Sequence, residues 1–198
     1  ILLIADEVIT GIGRLGHWFG SQYYGIRPDL MPFAKGVTSG YQPLGGVMIS
    51  DKVAEVLVAK GGEFFHGFTY SGHPVACAVA RATLQVLRKE KLIEHVRDTV
   101  APAFSSRLRK LADHPLVGEV RSAGLIGGIE LVPRKSSRKR FAKELKAGER
   151  CRDFCIEEGL VMRAVGDTVV VAPPFVTTTA QLDELVDKYE IYANIGGD

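Results

Sequence analysis

Cysteine is scarce: Cys77, Cys151 and Cys155 are the only three in 198 residues. An odd number without regular spacing excludes a disulfide framework. Cys151 and Cys155 lie four apart, on one helix face, without the acidic or imidazole neighbours that a metal site needs. Buried, reduced thiols and no metal are expected. Long hydrophobic runs are also missing. No stretch approaches the roughly 20 apolar residues that cross a bilayer, and none reads as a secretory signal. Nor does one sign of charge dominate: Lys and Arg number 25 against 23 Asp and Glu, for a net charge of +2. The overall charge therefore singles out no polyanionic partner. One basic run, Arg134 to Arg140, stands apart. It contains no aromatic residue that would stack on a base, and it reads as a solvated loop leading into a surface helix. These absences leave a protein expected to be cytoplasmic, with no membrane and no nucleic acid among its partners. Hydrophobic content of 46% and charged content of 24% are ordinary for a globular chain. Its length suffices for one sizeable core or two small ones.

The chain opens without methionine on an apolar stretch, Ile1 to Ala5. The stretch reads as a buried strand over 1–6, and such a strand needs neighbours on both edges. The expectation is the C-terminal part of a longer protein. Six glycines or prolines at 11, 13, 16, 20, 25 and 28 break any helix through 10–28. Short strands are predicted at 30–34 and 47–50, and a helix follows Asp51 as N-cap. Pro74 to Lys91 predicts a long, largely buried helix, with proline in its first turn and cations in its last. A connector helix is expected from Ile93 to Leu111. Strand patterns at 117–120, 125–132, 160–163 and 169–172 then alternate with helical patterns near 141–158 and 179–192, an α/β or α+β arrangement.

The chemistry gathers around two residues 29 positions apart, Asp6 and Lys35. A carboxylate closing an apolar strand is costly unless a cation meets it. A lysine among small and apolar residues, in Phe33-Ala34-Lys35-Gly36-Val37, is placed for nucleophilic work. Together they suit an aldehyde cofactor with a ring nitrogen. The amine forms a Schiff base with the aldehyde, and the carboxylate keeps the nitrogen protonated. Taken singly, Asp6 also reads as a turn cap and Lys35 as a surface lysine at a loop start. Glu7 points away from Asp6 if strand geometry continues. Thr69, in Gly67-Phe68-Thr69-Tyr70-Ser71-Gly72, precedes a helix starting near His73 or Pro74. A hydroxyl and free N–H groups there suit a phosphate, or an ordinary N-cap. His66 and His73 read as structural polar residues. Arg163, between Val161 and Asp167, offers a planar fork to a carboxylate, with a salt bridge to Asp167 as the other reading. Gly11-Ile12-Gly13-Arg14-Leu15-Gly16 spells a dinucleotide fingerprint, but no helix can follow it directly and the preceding Asp-Glu repels a pyrophosphate.

Three segments carry a resemblance: Ala5 to Arg14, Lys35 to Gly46, and His66 to Pro74. They resemble the class III pyridoxal-phosphate aminotransferases, most nearly the omega-amino-acid or diamine:pyruvate group. The resemblance implies a fold-type-I α/β architecture. Residues 1–92 would be the C-terminal part of the large cofactor domain, and 93–198 a connector helix and the α/β small domain. It implies pyridoxal 5′-phosphate bound by Asp6, Val8, Lys35 and Thr69, with Val8 packed on the ring. Lys35 would be the catalytic residue and Arg163 the substrate-binding one, swinging in for a keto acid. Thr69 would reach the phosphate of a neighbouring subunit's cofactor, hence a homodimer or a dimer of dimers. The reaction implied is ping-pong transfer from an omega-amino acid, diamine or other primary amine to pyruvate or a similar keto acid. The family's N-terminal half, with its phosphate loop and stacking aromatic, has no counterpart in this sequence. The alternative expectation is therefore an aminotransferase-like scaffold without activity of its own.

Overall fold

A computed structural model describes residues 1–137 and 139–195. Arg138 of the basic run and the last three residues, Gly196 to Asp198, lie outside the described residues. The chain divides into two compact units, Ile1–Glu94 and His95–Asp198.

In the first unit, β1 (Leu30–Phe33) pairs antiparallel with β2 (Gly46–Ile49). The register sets Phe33 opposite Gly46, where a Cβ would lie 2.7 Å from the Phe33 ring. Residues 1–7 run along the other edge of β1 in parallel. The Ala5 N–H donates to Leu30 O at 3.0 Å and the Glu7 N–H to Pro32 O at 2.9 Å. The expected buried strand is therefore an extended segment bonded on one edge only, and Ile1 to Ile4 are exposed. Chain reversal between this segment and β1 uses a wound loop and a single helical turn, α1 (Gly20–Tyr23). Helix α2 (Asp51–Lys60) starts at Asp51, with Ser50 rather than Asp51 as its N-cap. Helix α3 (Pro74–Lys89) has proline in its first turn and Arg88 and Lys89 in its last. It buries only Ala76, Ala80 and Leu87, a narrow stripe where extensive burial was expected. Its alanine-rich sequence has little side chain to bury on the other faces. Arg88 lies over the Trp18 ring, 5.2 Å from its centroid.

The second unit is a four-stranded antiparallel sheet covered by helices. β3 (Val117–Ala123), β4 (Ile126–Leu131), β5 (Arg163–Val165) and β6 (Thr168–Val171) are ordered β3-β4-β6-β5. Burial alternates along β4 and β6, so that Ile129, Leu131, Val169 and Val171 share one buried face. Helices α5 (Ala101–Lys110), α6 (Ala147–Glu157) and α7 (Thr179–Ile195) supply the facing residues, including Phe104, Leu108, Cys155, Leu182 and Tyr189. The expected connector helix is broken. A short helix, α4 (Leu92–His95), passes into a π turn over Val96–Val100 ahead of α5. Pro102 lies within the first turn of α5 and has no N–H to donate backwards, which is where a ladder loosens. An Arg107–Asp183 pair, with two bonds of 2.5 and 3.0 Å, ties α5 to α7. All three cysteines are free thiols, and Cys151 and Cys155 are buried. Among the described residues no helix is long and apolar enough to cross a membrane, and no group of His, Cys, Asp or Glu could hold a metal ion.

Candidate active site

Parallel pairing decides where Asp6 and Lys35 fall. Because Glu7 bonds to Pro32, the segment ending in Asp6 and Glu7 stops level with the end of β1. Lys35 stands two residues beyond Phe33, as the first residue of a 3-10 turn, Lys35–Val37. Both groups thus occupy the C-terminal end of one parallel pair, the end at which open α/β sheets bind ligands. Lys35 is exposed and holds a left-handed backbone, φ 41°. A lysine in that region is strained by about 1–3 kcal/mol and persists only where its surroundings fix it. Asp6 is exposed, and its Oδ1 accepts the Val8 N–H at 3.0 Å in a local turn. Its Oδ2 accepts no hydrogen bond among the described residues. The turn-cap reading of Asp6 and a second role are therefore compatible within one side chain. Val8 is half-buried, directly after this pair.

Glu7 is the residue that sequence reasoning passed over. It does point away from Asp6, into the protein, and is 2% exposed. Its Oε2 accepts the Thr10 hydroxyl at 2.5 Å and the Gly20 N–H at 2.7 Å, and its Oε1 accepts the Ser21 N–H at 2.5 Å. Its own carbonyl accepts the Gly11 N–H at 2.9 Å. Burial alone would push this carboxyl up, but the bonds from Thr10, Ser21 and Gly20 outweigh it and hold the pKa below the ordinary value. The G-x-G-x-x-G loop is accordingly a strap pinned at both ends by one carboxylate. A Cβ on Gly36 would lie 3.1 Å from the Ile12 Cβ and 3.4 Å from the Gly11 carbonyl oxygen, so the strap presses directly on the turn carrying Lys35. Ile12 is itself left-handed, φ 62°, and buried. No helix follows these glycines until the single turn of α1, which excludes a dinucleotide fingerprint.

Thr69 lies in an exposed turn four residues before the N-cap of α3, His73, which caps the helix with no side-chain bond. Ser71, in the same turn, accepts the Phe68 N–H at 2.9 Å. His66 meets Phe64 at a tilt and Phe68 edge-on, and His73 meets Tyr70 edge-on. Arg163 belongs to the second unit, at the start of the edge strand β5, opposite Val170. It is exposed and, among the described residues, makes no ion pair with Asp167.

Comparisons with known proteins give the family and the fold. Residues 1–191 match the family described as Aminotransferase class-III. A putrescine–pyruvate aminotransferase of Pseudomonas aeruginosa is 57% identical over 186 residues, which are 94% of this chain and 40% of that protein. An (S)-enantioselective omega-transaminase from Thermomicrobium roseum superposes with a TM-score of 0.94 at 44% identity, covering 100% of this chain and 44% of that one. A PMP-bound aminotransferase from Vibrio fluvialis superposes with a TM-score of 0.92 at 39% identity, covering 98% and 44% respectively. The chain thus spans about two fifths of the length of these relatives, and its α/β architecture is that of the fold-type-I transaminases. It belongs to the class III aminotransferases.

Proposed function

We propose that this chain carries the lysine, and part of the cofactor and substrate site, of a pyridoxal-phosphate-dependent aminotransferase. That enzyme would move an amino group from a diamine, omega-amino acid or other primary amine to pyruvate or a similar keto acid. The observation that carries the proposal is the placement of an exposed amine and an exposed carboxylate at the same end of one parallel pair. The donor set fits the cofactor: an amine for an aldehyde, a carboxylate with one uncommitted oxygen for a ring nitrogen, and a hydroxyl ahead of a helix for a phosphate. When bound, pyridoxal phosphate supplies an electron sink for a carbanion next to nitrogen.

In this reading Lys35 would hold the cofactor covalently, and its amine would take the proton from the substrate carbon as general base. Asp6 would hold the ring nitrogen, its carboxylate favouring the protonated form. Val8 would give the ring an apolar neighbour, and Thr69 would contribute a hydroxyl to the phosphate, in a dimer to that of the neighbouring copy. Arg163 recognises the carboxylate of the keto acid by its two-pronged fork. The similarity to a putrescine–pyruvate aminotransferase supports a diamine as donor and pyruvate as acceptor. The composition and the lack of a membrane-crossing helix among the described residues accord with a cytoplasmic enzyme.

The test is visible absorbance of the purified protein with pyridoxal phosphate, beside Lys35→Ala. A band in the wild type, lost in Lys35→Ala and bleached by putrescine, is the expected result. A protein that develops no such band, or a Lys35→Ala variant that keeps it, overturns the reading.

A further inference from the structure

We infer that Glu7 is a positioning residue, a buried latch through which the glycine strap holds the Lys35 turn in its binding geometry. The inference rests on the aminotransferase reading and adds a residue outside the cofactor-contacting set. The Glu7 side chain bonds Thr10, Gly20 and Ser21 rather than Lys35 or the side chains of its chain neighbours Asp6 and Val8. It acts on them through three connections. Its N–H is bonded to Pro32 of β1, the strand that delivers Lys35, at 2.9 Å. Its side chain collects Thr10 from the start of the strap and Gly20 and Ser21 from its end. Between those points the strap places Gly11 and Ile12 under Gly36, where a Cβ would meet the Ile12 Cβ at 3.1 Å and the Gly11 carbonyl oxygen at 3.4 Å, a tight fit. The Ile12 N–H, bonded to Trp18 O at 2.6 Å, closes the strap on itself.

Strain gives the latch its purpose. Ile12, packed against Gly36, and Lys35, the residue before Gly36 in the chain, both hold left-handed backbones that favour glycine. Neither conformation is stable unless something outside the residue enforces it. The Glu7 carboxylate is bonded to both ends of the strap, and it is suited to the task because an ionised carboxylate accepts several donors at once. Glutamine in its place would turn an NH₂ towards amide donors, leaving at least one buried donor unpaired. With the strap released, Ile12 and then Lys35 relax towards right-handed backbone, and the amine leaves the end of β1.

The test uses Glu7→Gln, Thr10→Val and Thr10→Ser in the same chain as the wild type, with two readouts. The first, without cofactor, is amide hydrogen exchange at Gly20 and Ser21, with β4 and β6 as the control for folding. The second is the rate of covalent capture of pyridoxal phosphate at Lys35, trapped by borohydride and read by peptide mass. Glu7→Gln is expected to raise exchange at Gly20 and Ser21 by about ten- to hundredfold and to slow capture by about tenfold, with β4 and β6 unchanged. Thr10→Val shows the same pattern more weakly, and Thr10→Ser, which keeps the hydroxyl, behaves as wild type. Unchanged exchange at Gly20 and Ser21 in Glu7→Gln overturns the latch. Raised exchange with unchanged capture equally overturns it, since Lys35 is then not held through the strap. If Glu7→Gln loses protection in β4 and β6 as well, Thr10→Val against Thr10→Ser decides by the same criteria. Absence of capture in the wild type is a separate outcome: it removes the cofactor reading, and this inference with it.

Discussion

Two adjacent carboxylates, Asp6 and Glu7, show how strand geometry divides labour between neighbours. Asp6 stays exposed with one oxygen engaged by the Val8 amide, while Glu7 is buried under three donors. The bonds that lower the Glu7 pKa also fix the sign of its pH dependence. A carboxyl depressed on folding contributes stability that is fully present above its unfolded value, near 4.5, and is lost as pH falls through the folded value. Trp18, the single tryptophan, lies in the strap and bonds to Ile12, so it reports this step. Its emission is expected to hold steady down through the ordinary carboxylate range and to shift only below it. In Glu7→Gln the shifted emission is present already at neutral pH, and a wild-type transition at or above the ordinary range contradicts the assignment. The placement of Asp6 at the end of one extended segment and of Lys35 just after a strand was legible, because each follows a short apolar run. Glu7 was not, because two of its partners, Gly20 and Ser21, lie 13 and 14 residues on, joined by a loop with no periodicity. The one local trace was Thr10, three residues along.

At the scale of elements, strands of the second unit were legible as short apolar runs, and β4 and β6 fall at or within a residue of the predicted 125–132 and 169–172, whereas their antiparallel order β3-β4-β6-β5 was not legible. Helix α3 was legible at its ends, by Pro74 and the terminal cations, though its exposure was not, because alanine-rich sequence reads the same buried or half-covered. The opening segment misled for a related reason: an apolar run records what a strand would prefer as neighbours, whereas its structure depends on which edges are paired. The strap against the Lys35 turn is a contact between two irregular elements, which no pattern encodes except as glycine. It makes a sharp prediction. In Gly36→Ala the new methyl group meets the Ile12 Cβ at 3.1 Å and a backbone carbonyl at 3.4 Å, neither at the end of a flexible side chain. The variant is expected to lose about 1–3 kcal/mol in urea unfolding of the first unit, the usual cost of overpacking. Capture of pyridoxal phosphate at Lys35 falls with it. A variant as stable as wild type would mean that the strap yields freely, and would weaken its claim to hold Lys35 in place.

Across the whole molecule the two units differ in how much they bury. The second has a continuous core running from Val96 to Tyr189. The first buries Ile12, Leu15, Val37, Ala76, Ala80, Leu87 and Ile93, and leaves Ile4 at 63%, Val47 at 56% and Phe68 at 78% exposed. Local stability follows buried apolar contact, so opening free energies should be ranked accordingly. Amides of β4 and β6 are expected to exchange far more slowly than those of β1 and β2. The proposed cofactor residues Asp6, Val8, Lys35 and Thr69 all belong to the less protected unit, and only Arg163 belongs to the other. Ligand binding stabilises what it binds by mass action, roughly a hundredfold in the folding equilibrium when free ligand is 100 times its dissociation constant. Saturating pyridoxal phosphate should therefore slow exchange at β1, Gly20 and Ser21 by up to that factor and leave β4 and β6 unchanged. Exchange mass spectrometry with and without cofactor measures both units in one experiment. Equal slowing in the two units would place the binding energy outside the residues named here, and slowing confined to the second would overturn the assignment of Lys35.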